Sequence, residues 1–255
     1  MATKTNTTST ARRGKTESTK PKQARSARGA QAREKLKAAA MRVLEKVGYH
    51  QMRVTDVTKE AGVAAGLFYH YFDDLKSLTL EVLTDFLERF IDIEEIESGV
   101  KKDDWYRLYL SHFEMFVDIY AKHPGLMRCL LQLSDEIPEF HEVHRQSTLR
   151  QMHWLSRALP KIFPESGMTQ EESLLMVSAL SGMSESILRE YYITRDPALR
   201  QCELSNEEMA EFLAMMLYRG LFLTNPPAEK LRFADKLAKV SIANVVHRLP
   251  QDAVV

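Results

Sequence analysis

From Ala30 onward, apolar residues recur at helical spacing. Leu36, Ala39, Ala40, Val43, Leu44 and Val47 share one face of a first helix, which Gly48 ends. Short helices over residues 54–61 and 65–71 follow, separated by Gly62-Val63. The next segment is long: Leu75, Leu78, Val82, Leu83, Phe86, Leu87 and Phe90 lie on one face, and helix continues to about Glu97. Asp103 or Asp104 caps a helix whose stripe is Trp105, Leu108, Tyr109, His112, Phe113, Phe116, Ile119 and Tyr120. Pro124 and Pro138 open helices reaching about residues 133 and 162, since proline suits a first helical turn. Helices over about 169–193 and 205–223 come next. After Pro226-Pro227 a last amphipathic helix is expected, with Leu231, Ala234, Leu237, Val240 and Val245 inward. The pattern predicts ten helices and no strands, an all-α chain.

Composition narrows the class. Ten Gly and nine Pro in 255 residues is few, which favours helices joined by short turns over a sandwich or barrel. Cys129 and Cys202 have no second thiol nearby in sequence, which points to a reducing, cytoplasmic setting without a disulfide framework. No window approaches the roughly 18 apolar residues that span a bilayer, and no secretory signal is evident, so no membrane partner is expected.

The formal net charge of zero conceals an asymmetry. Residues 1–37 carry eleven basic and two acidic groups, whereas the remainder carries 24 basic and 33 acidic. A basic end on an acidic body suits a polyanion-binding arm, and also a solvated tail with no specific partner. Residues 1–29 are too poor in apolar groups to fold alone and are read as a disordered basic arm.

Residues 54–72 have the makings of a helix-turn-helix. Val57 and Ala61 form an inward face, Gly62 permits the sharp turn, and Val63, Phe68 and Phe72 fill the small core behind the second helix. Ala65, Gly66, Leu67, Tyr69, His70 and Tyr71 are left to face outward or flank the contact surface.

The run Asp56-Val57, Ala61-Gly62-Val63, Gly66, Phe68-Tyr69-His70-Tyr71-Phe72, closed by Leu78 and preceded by Gly48-Tyr49, resembles the TetR family of bacterial transcriptional regulators. The resemblance is specific over about residues 33–83 and architectural beyond them. It implies a three-helix DNA-binding head (residues 30–74), then a long linker helix and a larger C-terminal helical ligand-binding and dimerisation domain (residues 75–250). In proteins like these, the residues matching Gly66, Leu67, Tyr69 and His70 lie in or over the major groove. Phosphate contacts there position the helix, and base edges specify the sequence.

The chain departs from the family pattern at four places. Arg53 stands where a Thr usually caps the second helix, Ala64 where a Ser caps the third, Ala65 at a common Lys and Leu67 at a common Thr. Each missing cap costs on the order of 1 kcal/mol. Arg53 and Lys76 are candidates to restore phosphate contacts. Together with Thr55 and Tyr71, these residues complete the expected DNA-binding set.

An enzyme is disfavoured. His141-Glu142-Val143-His144 brings its second His one residue too early for the zinc-protease motif, though the pair could share a helix face with Glu136 or Glu139. No phosphate-binding Gly loop or nucleophile elbow is present, and neither a cofactor nor a metal is expected. His112 reads as a core or pocket-wall histidine. Trp105, Tyr109, His112, Phe113, Phe116, Met152, Met176 and Met183 are the expected lining of a cavity for an apolar or amphipathic small-molecule effector. The alternative is a helix-turn-helix protein controlled by a protein partner, which would lack such a cavity. A homodimer is expected through the helices at 169–193 and 205–223. Ser178, Gly182 and Ser186 allow close backbone approach in the first, and Phe212 to Tyr218 is apolar on all sides in the second. The whole reads as a ligand-responsive repressor that binds double-stranded operator DNA.

Overall fold

A computed structural model of the chain describes residues 27–90, 99–101 and 104–240. Among these residues helix is the only regular structure. The elements are α1 (Ala27–Val47), α2 (Val54–Ala61), α3 (Ala65–Tyr71), α4 (Leu75–Phe90), α5 (Trp105–Lys122), α6 (Pro124–Glu136), α7 (Pro138–Ile162), α8 (Gln170–Leu188) and α9 (Asn206–Phe222). A π-helical turn (Arg189–Thr194) continues α8, and single turns occur at Pro197–Arg200 and Asp235–Ala238. The arm lies outside the described residues except that α1 already includes residues 27–29. The expected end of α4 at residues 91–97 lies outside them as well.

The helix starts follow local chemistry. Asp104 accepts from the Arg107 amide at 3.0 Å, and Thr169 with Glu172 and Ser205 with Glu208 form reciprocal capping boxes at α8 and α9.

The core runs without a break from head to body. Leu36 and Leu44 of α1 pack with Val57, Phe68 and Phe72 of the head and with Leu78 and Leu83 of α4. The arginine and lysine at positions 33 and 37, counted above with the basic end, are structural: Arg33 pairs with Glu81 and Lys37 with Asp85, both on α4. The Arg33 guanidinium also stacks over Phe72, 5.0 Å from the ring centre. In the body α9 packs along α5. Tyr218 meets Tyr106 edge-on with ring centres 5.9 Å apart. This cover, with Met209, Ala210, Leu213, Ala214, Met215, Leu217 and Leu221 buried, accounts for the all-round apolar character of α9 within one chain.

Over the described residues 228–240 the expected last helix does not run through. After Pro227 the chain makes a 3₁₀ turn (Ala228–Lys230) and then the single turn Asp235–Ala238. Ala234 is buried and Leu231 and Leu237 half-buried, but Val240 is exposed, and Val245 lies outside the described residues. The cause is Glu211. Its carboxylate is 2% exposed, and one oxygen accepts the amides of Arg232, Phe233 and Ala234 at 2.8, 2.7 and 2.7 Å. Arg219 then donates to the Leu237 and Val240 carbonyls, and Asn225 to that of Ala238. Satisfying a buried carboxylate this way outweighs continuing a helix.

Candidate DNA interface and ligand cavity

Gly62 caps α2 in the left-handed region (φ 66°), which a side chain would strain, and its amide reaches the Lys59 and Thr58 carbonyls. Phe68 is fully buried and Phe72 nearly so, whereas Tyr69 on the intervening surface is 56% exposed. Arg53, Thr55, Ala65, Gly66 and His70 are exposed too, and Leu67 and Tyr71 half-buried. His70 and Tyr71 stack edge-on, 5.0 Å apart.

Two details differ from expectation. The cap missing at Arg53 is partly replaced, because Asp56 accepts the Arg53 amide at 2.9 Å; at α3, Ala64 provides no side-chain cap. Lys76, expected at phosphate, donates to Glu139 of α7 at 2.7 Å and so ties the start of α4 to the body.

In the body, α4 to α9 line a cavity of about 150 Å³. Of the residues expected to line it, Tyr109, His112, Phe113, Phe116 and Met152 do. Trp105 stands one layer back, its ring 5.6 Å from that of Trp154, which is in the wall. Met176 packs on the core without reaching the cavity, and Met183 is exposed on α8. Both miss it because the α8 side facing the cavity is the one bearing Val177, Ser181, Ser184 and Leu188. Ser178, expected in a small-residue stripe, points to α7, where its hydroxyl lies 3.4 Å from Met152 Sδ; Gly182 and Ser186 are exposed.

Sequence reading missed Leu87, Leu130, Ser184 and Glu185 in the wall. Leu87 was legible as part of the α4 apolar face. The others come from α6 and α8, whose inward faces depend on packing far along the chain.

Besides Tyr109 and His112 the wall carries the polar side chains of Tyr120, His144, Ser147, Thr148, Ser181 and Glu185. The Tyr109 hydroxyl and His112 Nε2 are buried with no hydrogen-bond partner among the described residues. Burial lowers His112 to about 4 and pushes the Tyr109 phenol above its usual range. His144 Nε2 lies 3.8 Å from Glu185.

The residues considered as metal ligands have dispersed partners: Glu136 meets His50, Glu139 meets Lys76, and Glu142 meets Arg145 and Gln146. Hydrogen bonds from those last two hold the Glu142 carboxyl down at about 2. Among the described residues no three His, Cys, Asp or Glu side chains converge on a metal position, and no helix is long and apolar enough to cross a membrane.

Fold and surface together define a helix-turn-helix DNA-binding protein with a larger helical body. Residues 36–82 match the model of the bacterial regulatory proteins, tetR family. The chain belongs to the TetR family and is a DNA-binding transcriptional regulator. It is 23% identical to the uncharacterized HTH-type transcriptional regulator YdgC of Bacillus subtilis over 184 residues, 70% of this chain and 91% of that protein. With the fatty acid metabolism regulator protein of Bacillus subtilis it shares 34% identity over 64 residues, 25% of this chain and 32% of that one. The fold is similar to that of the fatty acid degradation regulator FadR from Bacillus halodurans, with a TM-score of 0.57 at 20% identity over 75% of this chain and 96% of that one. It is also similar to FadR from Bacillus subtilis in complex with stearoyl-CoA, with a TM-score of 0.56 at 17% identity over 73% and 98% of the two chains.

Proposed function

We propose that the chain is a homodimeric repressor that leaves its operator when an apolar or amphipathic small molecule enters the cavity. The observation that carries this reading is the reach of α4. Its first residues, Leu75 and Lys76, adjoin the end of α3, and Leu87 of the same helix stands in the cavity wall. Eleven helical positions, about 16 Å, separate Lys76 from Leu87. A ligand that displaces Leu87 therefore acts on the rigid body that carries the head.

The DNA surface is Arg53, Thr55, Ala65, Gly66, Leu67, Tyr69, His70 and Tyr71, with Lys76 joining if its pairing with Glu139 opens. Exposed Ala65 and half-buried Leu67 suit thymine methyl groups. The dimer face is the outer side of α8, where Leu175, Ala179, Gly182, Met183 and Ser186 are exposed at helical spacing. On α9 half-buried Phe212 and Met216 extend it. In such a dimer the two copies of α3 must sit roughly 34–36 Å apart to enter successive major grooves, and widening that gap releases DNA. A ligand that favours the released state by about 1.4 kcal/mol lowers operator affinity tenfold. The stearoyl-CoA complex of the Bacillus subtilis structure supports an effector with an apolar body.

The test is operator titration by fluorescence anisotropy with and without ligands recovered by native mass spectrometry. Loss of operator affinity on adding a bound ligand is the expected result. If no compound from a broad library changes either operator affinity or thermal stability, control by a protein partner replaces this reading.

A further inference from the structure

We infer that the cavity takes an uncharged effector, an apolar molecule bearing one hydrogen-bonding oxygen such as an alcohol, ester or amide, and rejects the free carboxylate of equal length. This rests on the reading of the cavity as the effector site.

Tyr109 and His112 are three residues apart on α5 and so share the face that lines the cavity. Tyr109 is 1% exposed, and neither its hydroxyl nor His112 Nε2 has a partner among the described residues. An unpaired buried polar atom costs about 1–3 kcal/mol. Both atoms are sealed from the cavity as it stands, so a ligand oxygen reaches either one as its side chain turns inward, and then removes that cost. Both groups are neutral near pH 7, since burial keeps the imidazole from charging and the phenol from ionising. They therefore offer hydrogen bonds and no counter-charge.

The rest of the wall points the same way. Among the described residues it contains no Lys or Arg, and its one carboxylate is Glu185. An anion brought inside would lose its hydration and find no Lys or Arg in return. A cation fares little better. The Glu185 side chain is 42% exposed and has His144 beside it, so a pair formed there is solvent-screened and weak. An uncharged oxygen satisfies the two buried atoms with no charge to desolvate.

The test uses the full chain at pH 7.5 and five eight-carbon probes: octane, octan-1-ol, methyl octanoate, octanoate and octylammonium. Thermal shift and calorimetry should show the alcohol and ester binding at least tenfold more tightly than octanoate or octylammonium. Tyr109→Phe, a substitution that keeps the ring, should remove most of the alcohol's advantage over octane and leave octane binding unchanged; His112→Leu should act likewise. Octanoate or octylammonium binding as tightly as the alcohol overturns the inference, as does the absence of any shift across the series. Operator titrations separate the two proposals. Alcohol binding that leaves operator affinity unchanged overturns the effector reading alone. Octanoate that binds and releases operator overturns the present one alone.

Discussion

The Glu45 carboxylate accepts the Gly125 amide at 2.8 Å, and the Glu45 backbone presses so closely on that position that a Cβ there would lie 2.1 Å from its carbonyl oxygen. The second carboxylate oxygen takes the Leu126 amide at 2.9 Å. The end of α1 thus plugs the first turn of α6, where unpaired amides and the helix dipole favour an anion. Two and five residues on from Gly125, Met127 and Leu130 of α6 stand in the cavity wall. The cavity is joined to the head by this second route as well as by α4.

Glu45→Ala should destabilise the fold by about 1–3 kcal/mol, because two partly buried amides lose their acceptor. Gly125→Ala should be at least as damaging, since backbone rather than a flexible side chain stands in the way. Urea unfolding of both variants checks this, and Glu45→Gln, which keeps one acceptor oxygen, should fall between Glu45→Ala and the parent.

In the head, Phe68→Ala should cost about 3–5 kcal/mol and melt the helix-turn-helix, as expected for a fully buried ring. Tyr69→Ala and His70→Ala alter exposed positions, so circular dichroism should be unchanged while operator affinity falls. Equal loss of helix in all three variants would contradict the assignment of faces.

Acidification should weaken the protein through His112. Its folded value of about 4 lies below the 6.5 of an unperturbed histidine, so the unfolded chain takes up the proton first. Stability from this group is complete above pH 6.5 and declines as pH falls towards 4, by a total on the order of 3 kcal/mol. Comparing urea unfolding at pH 7.5 and 5 in the parent and His112→Leu isolates the effect, and the variant should show a shallower decline.

Glu211→Ala leaves the amides of Arg232, Phe233 and Ala234 without their acceptor. The segment from residue 228 to 240 should then detach, which limited proteolysis would register as new cleavage there. Glu211→Gln retains an acceptor oxygen and should resist cleavage better.

The head was legible in the sequence because its contacts are local. Val57, Gly62, Phe68 and Phe72 lie within sixteen positions of one another, and the turn at Gly62 depends on that residue's own backbone freedom. Helical spacing likewise gave most of the inward faces of α1 and α4, although Val47 at the end of α1 is exposed; α5 also buries Tyr106 and Val117, outside its expected stripe. Where a helix is apolar on several sides, spacing alone does not say which neighbour covers which side. For α9 the answer was α5 in the same chain, and for α8 the cavity face proved to be Val177, Ser181, Ser184 and Leu188, with Met176 and Met183 off it.

The sequence by itself determined the class of the protein, its all-helical build and the position of its helix-turn-helix, since periodicity and turn chemistry act over a few residues. Only the tertiary structure decided the rest. It brought Glu45 to Gly125 across 80 positions, Lys76 to Glu139 across 63, and Glu211 to the amides of Arg232, Phe233 and Ala234. Each of these is a polar group whose partner is chosen by burial, and burial is set by how helices distant in sequence pack together.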